Sequence, residues 1–202
     1  GHSRHRRTRQ HDVLTLSPVP NTPQLLFLLR GINVGGHKKV PMAQLRHLAS
    51  SLGFVAPRTY IASGNLIART ALEPDDAATA LAAALSDHFG FEVDVVVRTA
   101  EQWRDLLASG PFPDAEEARP KFLHVGVSGA APPATAQQEL ERYLRGQERV
   151  CVGDRHVWLD YAEGAGRTKL TPKVLDRAMG APVTCRNWRS AQKLAELLDD
   201  VD

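Results

Sequence analysis

The sequence predicts an α+β fold. One observation is the order of its periodicities. Over residues 24–98, apolar strand-like runs and Ala/Leu-rich helical runs follow one another as β-α-β-β-α-β. A second is that residues 121–186 repeat that order, with one further amphipathic helix behind them. A third is size: 202 residues at 43% hydrophobic content suit one large domain or two small ones. The β-α-β-β-α-β order is that of the ferredoxin-like split βαβ unit. The reading is therefore two ferredoxin-like halves, 24–99 and 100–202, packed together and closed by a C-terminal helix. No residue-level repeat is visible between them.

The first strand is the apolar run 25–29, ending at Arg30-Gly31. A polar loop follows, and Pro41 opens a helix over about 42–53. Leu45, Leu48, Ala49 and Leu52 make its stripe, and Gly53 stops it. Residues 58–61 read as a strand, Ser63-Gly64-Asn65 as a tight turn, and 66–68 as the return strand. Pro74 starts a helix to about His88, closed near Gly90, and 91–98 is the fourth strand. A short helix around Trp103 spans 100–109, and 114–120 reads as a charged loop. Residues 121–127 form a strand, and Thr135 starts a helix to about Arg145. Residues 148–152 and 156–160 form a hairpin about a Gly153-Asp154 turn. Thr171-Pro172 caps a helix to Met179, ended by Gly180. Residues 182–184 are extended, and Asn187 or Ser190 begins the last helix.

Composition narrows the function classes. The net charge is +2, and Arg4, Arg6, Arg7 and Arg9 against Asp12 place +3 in residues 1–23. The rest of the chain is then −1, which argues against a duplex-binding polycation. Residues 1–23 read as a disordered basic arm. No apolar run reaches the length of a membrane span. Cys151 and Cys185 are too few for a disulfide framework and lack zinc spacing, so reduced thiols in a cytoplasmic protein are expected.

The loop 30–39 is the best site candidate. It carries Asn33, Gly35, Gly36, Lys38 and Lys39 before a helix start, a favourable place for an anion. It matches neither the dinucleotide fingerprint nor the P-loop. Its glycines equally suit a strand-to-helix turn that needs positive φ.

The motifs resemble one family, domain of unknown function family 1697. The resemblance rests on Arg30-Gly31-Ile32-Asn33-Val34-Gly35-Gly36, Pro41-Met42, Thr59-Tyr60-Ile61 and Ser63-Gly64-Asn65. It continues with Gly166-Arg167-Thr168-Lys169-Leu170-Thr171, Thr184-Cys185-Arg186-Asn187-Trp188 and Lys193-Leu194. Ala62, Cys185 and Ala191 depart from the usual residues. The resemblance implies an α+β fold with ferredoxin-like halves in a soluble bacterial protein, and no assigned biochemical role.

Across these motifs the polar residues are Arg30, Asn33, Lys38, Lys39, Ser63, Asn65, Arg167, Lys169, Thr171, Arg186 and Asn187, with no carboxylate among them. If they converge, they suit a phosphate or carboxylate, which arginine forks and amides orient. The other reading is a hydrogen-bonded joint built on Arg30 and Arg186-Asn187-Trp188. Trp188 either stacks on a ring or belongs to the core. No nucleophile elbow, metal spacing or cofactor motif is present, so the catalytic residue is unknown and neither metal nor cofactor is expected. Cys185 beside Arg186, and Glu163 beside the Gly-Arg-Thr-Lys loop, are the only reactive-group candidates. Three functions follow. The first is a module binding a phosphorylated small molecule or nucleic-acid phosphate in a cleft between the halves. The second is an enzyme acting on an anionic metabolite. The third is a protein–protein adaptor whose motifs are structural.

Overall fold

A strand that is apolar on both faces needs a core on both faces, and β1 (Gln24–Leu29) has two. In the computed structural model, which describes residues 22–200, Leu25, Phe27 and Leu29 enter one core and Leu26 and Leu28 another. The basic arm expected over residues 1–23 lies outside the described residues except for Thr22 and Pro23. After β1 come α1 (Met42–Ser51), β2 (Val55–Thr59), β3 (Asn65–Arg69), α2 (Pro74–Phe89) and β4 (Val95–Thr99). The four strands form an antiparallel sheet in the order β2-β3-β1-β4. Leu45 and Ala49 of α1 and Leu81 and Leu85 of α2 cover its outer face. Phe27 stacks there on Phe54 at 5.3 Å between centroids.

Two helices follow, α3 (Ala100–Ala108) and α4 (Pro113–Ala118). The chain then runs through β5 (Leu123–Ser128), α5 (Ala136–Glu141), β6 (Arg149–Gly153), β7 (His156–Asp160), a single 3-10 turn at Ala165–Arg167, α6 (Pro172–Met179), β8 (Val183–Asn187) and α7 (Trp188–Asp199). Its strands form a second antiparallel sheet, β6-β7-β5-β8. The architecture is α+β, with two four-stranded antiparallel sheets and seven α-helices among the described residues. No described helix is long and apolar enough to cross a membrane.

The inner faces of the two sheets share one core. Leu26, Leu28, Ile67 and Val96 meet Val125, Val127 and Trp158, with α3 and α7 wedged in beside them. Trp103 of α3 is fully buried, and its Nε1 donates to the Ala191 carbonyl of α7 at 3.0 Å. Both helices start directly off the edge strand of a sheet, and both are capped there. Thr99 and Gln102 form a reciprocal capping box on α3, and the Asn187 side chain accepts from Ser190 N at 2.9 Å on α7.

The two sheets also share their register. Arg98 sits opposite Leu26 across β1–β4, and Arg186 opposite Val125 across β5–β8. Asn65 pairs with Leu28 across β1–β3, and His156 with Val127 across β5–β7. Position for position, Arg98 corresponds to Arg186 and Asn65 to His156. The equivalence is invisible as sequence identity and plain in the hydrogen-bonded pairing.

Five sequence expectations change. Residues 114–120 hold most of α4 rather than a charged loop, because Pro113 starts the helix and Asp114 and Glu116 favour its first turn. The fourth strand is confined to Val95–Thr99, and the helix expected to reach Arg145 ends at Glu141. The second strand lies at Val55–Thr59 rather than 58–61, with a register shift between Val55 and Arg58. In the hairpin, Gly153 pairs with His156, so Asp154-Arg155 make the turn, Arg155 at φ 59°. Gly153 instead makes room for the His156 ring, which a Cβ at that position would strike.

Candidate functional site

Five of the expected site residues come together where β1 ends. Leu29 N donates to Gly64 O at 2.9 Å, which seats the Ser63-Gly64-Asn65 turn against the strand end. Gly64 lies at φ +94°, and a Cβ there would stand 2.7 Å from Ile32 Cδ1 and 2.8 Å from Leu29 Cβ, so no other residue fits. Arg186, reaching over from the second sheet, closes the cluster. Its Nε donates to Asn65 Oδ1 at 2.7 Å, and its Nη2 to Leu29 O at 2.8 Å, Gly64 O at 3.0 Å and Ser63 O at 3.2 Å. Its Nη1 donates to Cys185 O at 2.8 Å. Asn65, fully buried, spends its amide on Tyr60 O at 2.8 Å and Ser63 Oγ at 3.1 Å. Burial lowers the Arg186 guanidinium to about 10, so it stays charged at neutral pH. Four of its five N–H groups are spent inside the chain and the side chain is buried, which leaves it no fork for a ligand.

Arg30 is committed in the same way. Its Nη2 meets Asp176 of α6 at 2.5 Å and its Nη1 meets Asp94 at 3.6 Å. The other Asp176 oxygen accepts Val183 N at 2.9 Å. Asn33, at φ 57°, belts its own loop: it accepts Val40 N at 2.8 Å and donates to Val40 O at 2.9 Å and Ala62 O at 2.7 Å. Gly35 and Gly36 are exposed, at φ 59° and 76°, in the turn that brings His37 N to Val34 O at 3.0 Å. They serve there as turn glycines. Lys38 Nζ donates to Glu92 O at 2.8 Å. Asn187 is the α7 cap, and Trp188 is buried with its ring 5.8 Å from that of Trp158, so neither faces a ligand.

Cys185 does not have the lowered pKa that its neighbour suggests. Burial pushes its thiol up to about 11, outweighing the Arg186 and Arg30 charges that pull the other way. A thiol so placed is a poor nucleophile. Among the described residues no group of His, Cys, Asp or Glu is arranged to hold a metal ion.

Arg167 and Lys169 stay apart from this cluster. Both are exposed, and neither makes an ion pair among the described residues. Arg167 lines a hollow of about 490 Å³ together with Arg145, Gln147, Glu148, Tyr161, Glu163 and Thr168. Glu148 accepts Arg145 N at 2.8 Å through Oε1, while the Arg145 side chain has no carboxylate partner among the described residues. Glu163 stands exposed on the rim.

Two features escaped sequence reasoning. Arg98, the counterpart of Arg186, makes the reciprocal crossing: its Nη2 donates to Ser128 O at 2.8 Å and Arg155 O at 2.9 Å, and its Nη1 to Val97 O at 2.9 Å. The available signal was an arginine closing a strand and followed at once by a capping residue, Arg98-Thr99 and Arg186-Asn187. The second is Asp160, wholly buried and held by Arg119 at 2.6 Å and Arg149 at 2.8 Å. Burial alone would raise its pKa, but those guanidiniums and the N–H of Ala162 hold it at about 2. Its partners lie too far off in sequence to be read locally.

The model of a family described as protein of unknown function (DUF1697) matches residues 23–158. A solved structure of a conserved bacterial protein from Streptococcus pneumoniae is similar at 22% identity and a TM-score of 0.70, over 89% of this chain and 100% of that one. At that identity the likeness is one of fold. No curated protein matches the chain.

Proposed function

The chain belongs to the DUF1697 family, and we propose that it binds a phosphorylated small molecule in the hollow between Arg145 and Arg167. The observation that carries the reading is that two guanidiniums without carboxylate partners among the described residues line one hollow, whereas Arg30 and Arg186 are spent within the fold. Arginine forks match phosphate oxygens, and a hollow of about 490 Å³ is of small-molecule size. Gly164 and Gly166 let backbone approach the ligand closely, and Glu163 on the rim leaves a place for a donor group beside the phosphate. Lys169 adds charge nearby in sequence. The joint at Arg186 then acts as scaffold.

We also read each sheet with its two outer helices as a ferredoxin-like unit, joined near residues 99–100. The strand orders β2-β3-β1-β4 and β6-β7-β5-β8 support that reading.

The test is a thermal-shift panel of phosphorylated small molecules and short single-stranded oligonucleotides, on the native chain and on Arg145→Ala/Arg167→Ala. A ligand that binds only the native state raises the melting temperature as it saturates. The expected result is a shift with a small phosphorylated compound that disappears in the double variant while its own melting temperature is unchanged. A shift that survives both substitutions overturns the proposal, as does a panel with no shift or with shifts from oligonucleotides alone.

A further inference from the structure

The two sheets are equivalent in register, but their outer edges are not equally closed. β4 and β8 each pair with one neighbour only, so each turns one row of backbone groups outward. Arg30 N donates to Asp94 O across β1–β4 at 3.0 Å, so by alternation Val96 and Arg98 also turn their backbone groups to β1, and Val95 and Val97 turn theirs outward. Arg98 Nη1 takes Val97 O on that side. The N–H and C=O of Val95 and the N–H of Val97 find no partner among the described residues, although Val97 is buried. Val95 pairs with Leu29 and Val183 with Ser128, the matching strand ends. At Val183 the edge is closed: its N–H donates to Asp176 Oδ1 at 2.9 Å, and Arg30 holds the other Asp176 oxygen. Pro74 and Pro172 each open the second helix of a unit, so Ala78 stands where Asp176 does, four residues on in both, and it offers Val95 no acceptor.

A groove follows this open edge. A cleft of about 660 Å³ takes in Val95, Val96, Val97 and Arg98. A hollow of about 390 Å³ continues it past Val93 and Asp94, and the two share Asp75, Ala78 and Val95. Val97 belongs to the outer core and Val96 to the inner one, so the cleft opens at the edge of β4 rather than on either face. One wall is α2, with Ala78, Thr79 and Ala82; the other is α3 and the β6–β7 turn, with Asp105, Leu106 and Asp154. We infer that β4 takes an extended segment of a partner protein into this groove as a fifth strand. Main-chain pairing to Val95 and Val97 supplies the affinity, and alternate side chains of the segment face the two walls. An edge left open is otherwise a template for wrong pairing. The five residues of β4 set the segment at about 17 Å. Charge selects between occupants. Five carboxylates line the cleft and Asp94 the hollow beyond it, against Arg98 and Arg155. A second copy of this chain would bring the same acidic walls up against these, whereas a segment with basic side chains along one face meets them favourably.

The probe is a terminally blocked heptapeptide of alternating lysine and valine, which presents valines to the Ala78 wall and ammonium groups to the other. Titration calorimetry on the full chain is expected to show 1:1 binding. At saturation, amide exchange read by NMR is expected to slow about tenfold or more at Val95 and Val97 and to stay unchanged at Val183. Two N-methylated forms carry the same charge, one methylated on every valine and one on every lysine. Successive residues of a strand pair to opposite sides, so one form is expected to lose binding and the other to keep it. Ala78→Asp gives Val95 the acceptor that Asp176 gives Val183. It is expected to weaken the peptide about tenfold or more even though it adds a negative charge. Equal binding of both N-methylated forms, or tighter binding by Ala78→Asp, means attraction by charge alone and overturns the inference. Absence of binding up to millimolar concentration overturns it as well. So does an edge already covered: Val95 and Val97 amides protected in the free monomer point to the chain's own residues 1–21, and protection that appears only in a dimer points to a second copy. Should Ala78→Asp fail to fold, the N-methylated pair decides alone. None of these outcomes depends on the Arg145–Arg167 hollow.

Discussion

Replacing Arg186 by alanine is the sharpest test of the joint, because the structure says what each lost bond leaves behind. Asn65 is fully buried, and its Oδ1 loses the donor that satisfies it. The carbonyls of Leu29 and Ser63 lose a donor too, while Gly64 O keeps Leu29 N. Each buried acceptor left unpaired costs about 1–3 kcal/mol. Three such acceptors, partly relieved by water entering the space the side chain leaves, cost about 3–5 kcal/mol in all. Against a total stability of roughly 5–15 kcal/mol, that is a large share. For a chain of this size it corresponds to a melting temperature lower by roughly 6–20 °C. The assay is equilibrium urea unfolding with an unchanged m-value. Arg186→Lys keeps the charge but replaces the planar fork with a single ammonium, and is expected to recover less than half of the loss. A loss below about 1 kcal/mol for Arg186→Ala, the size of an ordinary surface substitution, would refute the claim that this residue holds the sheets together.

Three further outcomes follow from the same geometry. Arg98→Ala, half-buried and with three carbonyl acceptors, should cost about 2 kcal/mol and add to Arg186→Ala within about 0.5 kcal/mol, since the two guanidiniums share no acceptor; a coupling well beyond that would mean the joint acts as one unit. Asp160 has a folded pKa of about 2, below its ordinary value of 3.8, so its contribution is present above about pH 4 and is lost as pH falls through about 2. That contribution is on the order of 2 kcal/mol. Asp160→Asn should therefore be less stable at pH 7 and should flatten the urea midpoint between pH 4 and pH 2; a native-like slope there would count against the assignment. Gly64→Ala combines left-handed φ with Cβ approaches of 2.7 and 2.8 Å to Ile32 and Leu29, and should cost about 2–4 kcal/mol by urea unfolding, with a neutral result contradicting the tight seat described for the turn.

Local signals in the sequence were enough to find most elements. Pro41, Gly53, Gly90, Thr171 and Gly180 punctuate helices as their conformational preferences dictate, and the unbroken run of β1 reads as a strand buried on both faces. The helix α4 was missed because six residues between prolines, rich in acid, look like loop until the Pro113 start is weighted above the length. For the candidate site, the motifs name Arg30, Asn33, Ser63, Asn65 and Arg186, but neither their meeting near one strand end nor the use of their donors is legible in the sequence. A guanidinium bonded to carbonyls and one poised for phosphate have the same sequence. What decides between them is the count of acceptors within reach, and Arg186 finds five while Arg167 has none among the described residues.

The repeated register places an open cleft of about 660 Å³ beside the Arg98 crossing. Its acidic lining is exposed, and both its flanks are fixed. The Arg98 crossing pins the strand end beside the cleft, and Trp103 of α3, locked to the Ala191 carbonyl, fixes the helix that forms its wall. The Arg186 crossing and the Arg30–Asp176 pair hold the opposite corner shut. The two crossings are thus equivalent in register and unequal in surroundings: Arg186 stands beside a corner filled by the Arg30–Asp176 ion pair, and Arg98 beside an open cleft from which Asp75 and Asp154 act on its charge.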